Sequence, residues 1–314
     1  MNKENKKTIV VTGALGHIGS KLIREFDPKL VGRVIIIDNL STQRYASLFD
    51  LPSTIKYEFH EDDVRTADFS KYLGGVNAVI HLAAITDAPS SKERPEETFD
   101  VNLVGTKRLA DACLAAGVPL FFPSTTSVYG SQENLVDETS TELKPQSPYA
   151  DSKIQAEEYL RGMKGKGLKF VICRLGTIFG YSIGMRFHTA VNKFTWQAVM
   201  GTPITVWKTA WKQKRPYLDI GDCVRAVNMI LEKDIFDGET YNVLTKNFTV
   251  EDIVMSIKKF VPGLEVAYVE SAIMNQLSYD VDDKKFRSKG FMPQGDLEKA
   301  TGETIGKFSA LRRI

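Results

Sequence analysis

The sequence predicts an α/β fold built on a parallel, doubly wound sheet. Short apolar, β-branched runs alternate along the chain with segments of helical periodicity, which is the pattern of strand–helix–strand units. Polar and glycine-rich motifs follow directly after these runs, where ligands of such sheets bind. The 314 residues are 43% hydrophobic and 25% charged, which suits one large α/β unit or two intimate domains.

The first half of the chain supplies most of this pattern. Strands are predicted at residues 8–12, 34–37, 56–60, 76–82, 119–123 and 169–174. Helices are predicted at residues 20–26, 96–116 and 149–163, and the second of them stops at Gly117. Short strands between helices favour a parallel sheet, because parallel neighbours need crossover connections.

After Gly180 the alternation becomes looser. Helices are expected at residues 187–200, 222–232 and 250–261, and strands at residues 205–207, 217–220 and 240–243. From Gly263 onward we expect a strand, an irregular segment and a short final helix. This second part is expected to cover the mouth of the sheet.

Composition and charge exclude several classes of protein. The net charge of +2 provides no field that would attract nucleic acid or a membrane surface. No apolar run reaches the roughly 18 residues of a membrane span, and the polar stretch 1–7 does not resemble a signal peptide. The three cysteines and four histidines are scattered, without disulfide or metal-ligand spacing. We therefore expect a soluble, cytoplasmic protein without a metal.

A glycine-rich turn follows the first predicted strand. Gly13, Gly16 and Gly19 lie between that strand and a helix, so that backbone amides can approach a phosphate. Asp38 ends the next strand, where a carboxylate accepts hydrogen bonds from a ribose diol and repels a 2′-phosphate. No Arg follows Asp38 directly, which favours NAD over NADP. The alternatives are a purely structural turn and an ordinary capping aspartate.

Two further motifs near strand ends carry open alternatives. Asp63 and Val64 can contact an adenine amino group and an adenine face, or they can belong to a solvated acidic loop. Asn102 lies within a helical stretch, where its amide either bridges backbone groups or points to solvent.

Tyr149 and Lys153 form an acid/base pattern at a helix start. Pro148 fits the first helical position, because its missing N–H is not needed there. The spacing of four places Tyr149 and Lys153 on one helix face. A cation next to a phenol lowers its pKa from the ordinary value of about 10. The alternative is a surface tyrosine with a solvated lysine.

These motifs together resemble the extended short-chain dehydrogenase/reductase family. Within it they resemble the nucleotide-sugar epimerase and dehydratase branch, and they are similar to those of UDP-glucose 4-epimerases. The resemblance covers nearly the whole chain and rests on motifs in family order. They are TGALGHIG at 12–19, IIIDNL at 35–40, DDV at 62–64, HLAA at 81–84, VNLVGT at 101–106, STTSVYG at 124–130, PYADSK at 148–153, RLGTIFG at 174–180, GTPITVW at 201–207, RPYLDIGD at 215–222 and DDKKFRSKGFMPQGDLEKATGETI at 282–305.

The resemblance implies a Rossmann-type NAD domain and a smaller, mostly C-terminal, substrate-binding α/β domain. The NAD domain is expected to comprise residues 1–180, with about 216–245 added to it, and residues 181–314 are expected to be mainly substrate-binding. The family also implies a homodimer through helices near 92–116 and 149–165.

The resemblance also implies roles for individual residues. NAD contacts are expected from Gly13, Gly16, His17, Ile18, Gly19, Asp38, Asn39, Asp63, Val64, Leu82, Ala83, Ala84, Asn102, Tyr149 and Lys153. Catalysis is expected from Thr125, Tyr149 and Lys153. Contacts to a nucleotide-diphosphate sugar are expected from Thr86, Thr125, Thr177, Arg215 and Arg287.

The resemblance implies NAD-dependent 4-epimerisation through a transient 4-keto sugar. Dehydratases of the branch carry an acidic pair where this chain has Thr126 and Ser127, and this difference argues against dehydration. Many family members carry Asn where this chain has Thr177. Another reaction of the branch, such as reduction, dehydration or oxidation, and a non-catalytic nucleotide-binding protein remain the alternatives.

A basic segment at 208–215 is suited to a diphosphate. Lys208, Lys212 and Lys214 precede Arg215 in it, and a solvated basic loop is the alternative. Trp207 and Trp211 can stack on a base or sugar, or can belong to the packing of this region.

Overall fold

The computed structural model describes residues 6–132, 135–270 and 279–311. Residues 271–278 of the irregular segment predicted after Gly263 lie outside the described residues, as does most of the polar stretch 1–7.

The strands of the described residues belong to three sheets. They are β1 Lys7–Thr12, β2 Val31–Asp38, β3 Lys56–Glu61, β4 Ala78–His81, β5 Leu120–Thr125, β6 Phe170–Leu175, β7 Thr177–Phe179, β8 Ile204–Trp207, β9 Lys214–Asp219, β10 Thr240–Val243, β11 Lys246–Thr249 and β12 Val266–Val269.

The α-helices alternate with the strands of the first half and cluster in the second. They are α1 His17–Glu25, α2 Ala88–Ser91, α3 Pro95–Phe99, α4 Gly105–Ala116, α5 Pro148–Lys164, α6 Ala190–Val199, α7 Ile220–Lys233, α8 Val250–Lys258, α9 Lys284–Ser288 and α10 Leu297–Gly306.

Seven parallel strands form the central sheet, in the order β3, β2, β1, β4, β5, β6 and β10. The chain order reverses between β1 and β4, which is where ligands of doubly wound sheets bind. This topology confirms the predicted Rossmann-type α/β fold.

The central sheet is buried on both faces. Ile9 and Val11 of β1 pack in one apolar cluster with side chains of α1 and α7. Val10 points to the opposite cluster, which contains side chains of α4 and α5. This alternation explains why the strands are apolar throughout, since both neighbours along a strand are covered by helices.

The helix predicted at 96–116 is interrupted in the structure. Between α3 and α4 lies a single π-helical stretch, Asp100–Val104, which contains Asn102. Such π-bulges place a side chain where the regular helix would not. The bulge turns the amide of Asn102 toward the loop after β4.

Residues after β6 form two smaller sheets. Strand β9 pairs antiparallel with β11 and parallel with β7, and β8 pairs parallel with β12. Strands β7 and β11 were not predicted, because three or four residues carry too little periodicity. These sheets share an apolar cluster with α6 and α8.

Candidate active site

A cavity of about 720 Å³ opens at the carboxyl ends of the central strands. Its walls come from the loops after β1, β2, β4 and β5, from the start of α5, and from residues between β7 and β12. The cavity therefore lies where the first half of the chain meets the second.

The structure brings most of the predicted residues to this cavity. From the glycine-rich turn the lining includes Gly13, Gly16, His17, Ile18 and Gly19. From the loops after β2 and β3 it includes Asp38, Asn39, Asp63 and Val64. From the loop after β4 it includes Leu82, Ala83, Ala84 and Thr86. Near α5 and in the second half it includes Thr125, Tyr149, Lys153, Thr177 and Arg215.

The glycine-rich turn packs tightly against the loop after β4. Gly13 has a φ of 65°, and a Cβ at this position would lie 2.5 Å from the backbone nitrogen of Ala83. Only glycine permits both the conformation and this close approach. The turn leads directly into α1, whose first backbone amides face the cavity edge.

Asp38 braces the glycine-rich turn. One oxygen of its carboxylate accepts a hydrogen bond from the backbone N–H of Leu15 at 3.1 Å, and the other from that of Leu40 at 3.0 Å. The carboxylate is thereby oriented at the end of β2, on the cavity wall. Arg44 also lines the cavity, close enough for the charge of Asp38 to act on it.

Asp63 is engaged by protein side chains. Its carboxylate accepts hydrogen bonds from Arg65 at 2.7 and 2.9 Å and from Asn39 at 2.8 Å. The hydrogen bonds from Arg65, more than those from Asn39, hold the pKa of Asp63 well below its ordinary value. Asp63 therefore fixes Asn39 at the cavity, in addition to lining it.

Asn102 bridges backbone groups, one of its two predicted alternatives. Its side chain accepts a hydrogen bond from the N–H of Ile85 at 2.8 Å and donates to the carbonyl of Ile85 at 2.9 Å and to Ser152 at 3.1 Å. Asn102 is not among the cavity-lining residues, and it acts by holding the loop after β4. On that loop the hydroxyl of Thr86 is buried without a hydrogen-bond partner among the described residues.

Thr125, Tyr149 and Lys153 meet at one end of the cavity. Ser147 caps α5 by accepting a hydrogen bond from the N–H of Ala150 at 3.2 Å, which sets Tyr149 in the first turn. The phenol of Tyr149 lies near the hydroxyl of Thr125, whose presence favours the charged form of the phenol. The ammonium of Lys153 is buried and donates to the carbonyl of Pro123 at 3.0 Å.

The pKa of Tyr149 departs from expectation. Burial raises it, and the hydroxyl of Thr125 and the charge of Arg186 offset this only in part. Burial also lowers the pKa of Lys153 to about 7. That Lys153 lowers the pKa of Tyr149 stays a prediction for the site with bound NAD.

Thr126 and Ser127 carry hydroxyl groups at the positions where dehydratases of the branch carry an acidic pair. Thr126 donates a hydrogen bond to the carbonyl of Leu175 at 3.3 Å. The buried phenol of Tyr279 lies near the side chains of Thr126 and Ser127, which act on its pKa. This part of the site can donate and accept hydrogen bonds but has no strong acid or base.

The basic segment at 208–215 does not form a phosphate-binding patch. Lys208 pairs with Glu270, Lys212 with Glu251 and Lys214 with Asp280, and these lysines are more than half exposed. Each lysine lies on a solvated face, so Arg215 is the only basic residue of this segment that lines the cavity.

Of the other residues predicted to contact the substrate, some line the cavity and others do not. Arg287 forms an ion pair with Asp283 at 2.7 Å and is not among the residues that line the cavity. Trp211 packs edge-on against Tyr268 at 5.6 Å, whereas Trp207 lines the cavity.

Comparison with known proteins identifies the family. The model of the NAD dependent epimerase/dehydratase family matches residues 9–243. The chain belongs to this family. An uncharacterised UDP-glucose epimerase of Bacillus subtilis is 32% identical over 245 residues, which are 75% of this chain and 76% of that protein.

Two solved structures extend the similarity over nearly the whole chain. A UDP-N-acetylglucosamine 4-epimerase from Methanobrevibacter ruminantium, in complex with UDP-N-acetylmuramic acid, has a TM-score of 0.87, with 26% identity and coverage of 97% and 98% of the two chains. A UDP-glucuronic acid 4-epimerase from Bacillus cereus, in complex with UDP-glucuronic acid and NAD, has a TM-score of 0.86, with 25% identity and coverage of 95% and 98%.

The residues around the glycine-rich turn fit NAD, the cofactor of the epimerase/dehydratase family. The turn and the start of α1 present amides suited to a diphosphate, and Asp38 ends β2 with a carboxylate suited to a ribose diol. The unpartnered hydroxyl of Thr86 adds a group that a ligand can satisfy.

Sequence reasoning missed five basic residues of this family member's cavity: Arg44, Arg65, Arg186, His188 and Lys193. Arg44 follows Asp38 by six positions, too far for the fingerprint to include it. Arg186, His188 and Lys193 lie after Gly180, outside the motifs used for the prediction. A count of basic residues after each strand end would have marked Arg44 and Arg65.

The described residues contain neither a metal-binding cluster nor a helix that could span a membrane. In residues 6–132, 135–270 and 279–311, no three His, Cys, Asp or Glu side chains are grouped to hold a metal ion. Within the same ranges no helix combines the length and apolar character needed to cross a bilayer.

Proposed function

We propose that this chain is an NAD-dependent nucleotide-sugar 4-epimerase, which oxidises a sugar carbinol to a transient 4-keto sugar and reduces it again. The observation that carries this proposal is that Thr125, Tyr149 and Lys153 line the same cavity as the glycine-rich turn. The relatives described above are UDP-sugar epimerases, which supports the same reaction.

The NAD-binding role is proposed for residues 1–180 together with about 216–245. Gly13, Gly16, His17, Ile18 and Gly19 would hold the diphosphate, and Asp38 and Asn39 the adenosine ribose. Asp63, Val64, Leu82, Ala83 and Ala84 would line the adenine and ribose walls, and Asn102 would act through the loop that it braces. Bound NAD supplies the hydride acceptor and donor for the sugar carbon.

Proton transfer is the task proposed for the residues of this chain. The phenolate of Tyr149 would take the proton of the sugar hydroxyl while the C–H hydrogen leaves that carbon as hydride. Thr125 would hold the same hydroxyl, and Lys153 the nicotinamide ribose. Return of the hydride to the other face of the keto carbon, with the proton returned by Tyr149, gives the epimer without net redox change.

The alternative is dehydration or another reaction of the family. One feature of the site disfavours dehydration. Loss of water from the sugar needs a general acid and a general base near the ring. Thr126 and Ser127 are hydroxyl side chains engaged with Tyr279, and neither ionises near neutral pH.

The substrate end is proposed to lie mainly in residues 181–314. Thr86, Thr177 and Arg215 line the cavity and are the proposed contacts to the sugar and its diphosphate. Trp207 is the proposed stacking surface for the base. Arg287, with its ion pair to Asp283, would need to change partners to join them.

A homodimer through helices near 92–116 and 149–165, and a cytoplasmic location, complete the proposal. Val104, an exposed apolar residue within 92–116, is a position at which this interface can be tested.

The reaction is tested with a panel of UDP-, GDP-, dTDP- and CDP-sugars, followed by NMR. Appearance of a C4 epimer without net NADH supports the proposal, whereas a 4-keto-6-deoxy product shows that the chain is a dehydratase. Absence of turnover with every sugar, in protein shown to hold NAD, contradicts both.

Tyr149→Phe should abolish turnover while NAD remains bound, because only the group that carries the proton is lost. A loss of about a hundredfold or more is expected from the contribution of general acid–base catalysis. Turnover and NAD content should be measured on the same preparation. Epimerisation near the wild-type rate would refute the proposed role of Tyr149.

A further inference from the structure

Thr12 and His81 end the two strands that flank the point where the chain order of the central sheet reverses. They are register partners in β1 and β4. Val10 and Val79, two residues earlier on each strand, belong to the apolar cluster that contains side chains of α4 and α5. Because side chains two apart on a strand share a face, Thr12 and His81 point to that side as well. A fully buried imidazole therefore lies between the sheet and α4.

Both ring nitrogens of His81 have a threonine hydroxyl as partner. Nδ1 lies 2.7 Å from Oγ1 of Thr12, and Nε2 lies 3.0 Å from Oγ1 of Thr106 in α4. The hydroxyl of Thr106 also donates to the backbone carbonyl of Asn102 at 2.6 Å, and that of Thr12 accepts from the N–H of Ala83 at 3.3 Å. These four hydrogen bonds, the His81 network, join the loop after β4 to the π-helical stretch.

The direction of each hydrogen bond in the His81 network follows from its ends. A carbonyl oxygen only accepts, so the single hydroxyl proton of Thr106 is used at Asn102. Thr106 therefore accepts from His81, which places the imidazole proton on Nε2. Nδ1 of the neutral ring then accepts the hydroxyl proton of Thr12, whose oxygen accepts from the N–H of Ala83. One tautomer satisfies all four hydrogen bonds.

A protonated imidazolium does not fit these contacts. With a proton on Nδ1 as well, the oxygen of Thr12 would accept from both His81 and Ala83, and the hydroxyl proton of Thr12 would lose its acceptor. Burial, more than the charge of Lys153, lowers the pKa of His81 to about 3. The ring is therefore neutral near pH 7, in agreement with the hydrogen bonds.

The His81 network supports the loop after β4 at two positions. Residues 82–86 of this loop line the cavity. Ala83 is held by the hydroxyl of Thr12. Ile85 is held by the side chain of Asn102, which accepts from its N–H at 2.8 Å and donates to its carbonyl at 2.9 Å. His81 lies between these two supports, because it bonds Thr12 directly and reaches the backbone of Asn102 in the next step.

The second support also reaches the catalytic helix. The side chain of Asn102 donates to the hydroxyl of Ser152 at 3.1 Å, and this hydroxyl donates to the carbonyl of Tyr149 at 2.8 Å. A displacement of the π-helical stretch would therefore move contacts of the loop after β4 and of the first turn of α5 together.

We propose that His81 is a positioning residue of the NAD site, which holds the loop after β4 through Thr12 on one side and Thr106 on the other, as a neutral ring with its proton on Nε2. His81 is not among the described residues that line the cavity, so it acts through the loop residues that do. The inference rests on the proposed NAD-binding role of this loop and not on the reaction that follows.

The tautomer is tested in the full chain by long-range ¹H–¹⁵N correlation of labelled histidine at neutral pH. The signals of His81 are assigned by their loss in His81→Gln or, if that variant does not fold, by elimination with His17→Gln, His60→Gln and His188→Gln. We expect a protonated Nε2 and an unprotonated Nδ1. Thr106→Val should mix the two tautomers, because Nε2 loses its acceptor, whereas Thr106→Ser should keep the wild-type pattern.

NAD affinity tests the consequence for the loop. Thr106→Val should raise the Kd of NAD by about fivefold or more, the fold-change that corresponds to one neutral hydrogen bond, and Thr106→Ser should stay near the wild type. Thr304→Val is the matched control, because Thr304 is buried in α10 and its hydroxyl likewise donates to the carbonyl four residues earlier, that of Ala300, at 2.8 Å. Amide hydrogen exchange should become faster at Ala83 and Ile85 in Thr106→Val but not in Thr304→Val.

The outcomes separate this inference from the proposed function. A proton on Nδ1 in the wild type, an unchanged Kd in Thr106→Val, or an equal rise in Thr304→Val overturns the inference. If the chain binds no NAD, the proposed function fails, and the tautomer together with exchange at Ala83 and Ile85 decides the inference. If a sugar nucleotide is epimerised while Thr106→Val binds NAD like the wild type, the function stands and the inference is wrong.

Discussion

Asp38 has two roles in the structure: it holds backbone amides around the glycine-rich turn, and it lines the cavity. Its carboxylate holds the amides of Leu15 and Leu40 and lies on the cavity wall near Arg44. A ribose diol is compatible with this arrangement, whereas the carboxylate of Asp38 would repel a 2′-phosphate. We therefore expect the preference for NAD over NADP to depend on Asp38.

Asp38→Ala should weaken NAD binding by about tenfold or more, since hydrogen bonds to a charged group are lost. It should also raise the affinity for NADP relative to NAD, because Arg44 becomes available to the 2′-phosphate. Dissociation constants for both dinucleotides, from fluorescence titration, provide the measurement.

The double variant Asp38→Ala/Arg44→Ala is the control for this prediction. It should lose the relative gain in NADP affinity while keeping the loss of NAD affinity. An unchanged ratio in the single variant would show that Asp38 does not meet the ribose.

At the scale of elements, Glu157 joins α5 to the central sheet. It is fully buried and accepts hydrogen bonds from Ser124 at the end of β5, from Arg174 of β6 and from Arg161 of α5. Burial alone would raise the pKa of Glu157, but the hydrogen bonds and charge of Arg174 hold it below its ordinary value. The network fixes the helix that carries Tyr149 against the strand that carries Thr125.

Glu157→Gln should destabilise the fold by about 3–5 kcal/mol, because the buried guanidinium of Arg174 would lose its counterion. Urea unfolding measures this loss. Arg161→Ala removes only the 40% exposed partner and should cost less than about 1 kcal/mol. Equal losses in both variants would contradict this account of the buried pair.

At the scale of the whole molecule, the cavity depends on both halves of the chain. Residues 181–189, between β7 and α6, contact the start of α1 in the first half through hydrogen bonds of Ser182 with His17 and of Gly184 with Ser20, which span more than 160 residues of sequence. Any displacement of one half would therefore alter the walls around Tyr149. The proposed homodimer would add a further constraint on α5, the helix at the centre of this arrangement.

The homodimer is tested by sedimentation velocity. The wild type should sediment as a dimer, and Val104→Glu should shift it toward monomer, because a charge would be buried at the proposed interface. Met292→Glu, at a more exposed apolar position elsewhere, should remain dimeric. A monomeric wild type, or equal effects of both variants, would count against this interface.

Local sequence was sufficient for most strands, for the glycine-rich turn and for the start of α5. The strand predicted at 240–243 coincides with β10, and Ser147 and Pro148 mark the start of α5 within one residue of the prediction. Side-chain periodicity and capping act over a few residues, so they can be recognised without knowledge of the fold. The glycine-rich turn and Asp38 were recognisable for the same reason.

Only the tertiary structure decided which charged residues reach the cavity and what they do there. Lys208, Lys212 and Lys214 look like Arg215 in the sequence, yet each is paired at the surface while Arg215 lines the cavity. Spacing alone placed Lys153 near Tyr149, and only the structure shows that its ammonium donates to the carbonyl of Pro123 in β5. Arg186 lines the same cavity, although no motif marked it. Electrostatic pairing depends on distances and burial between remote segments, which no local pattern encodes.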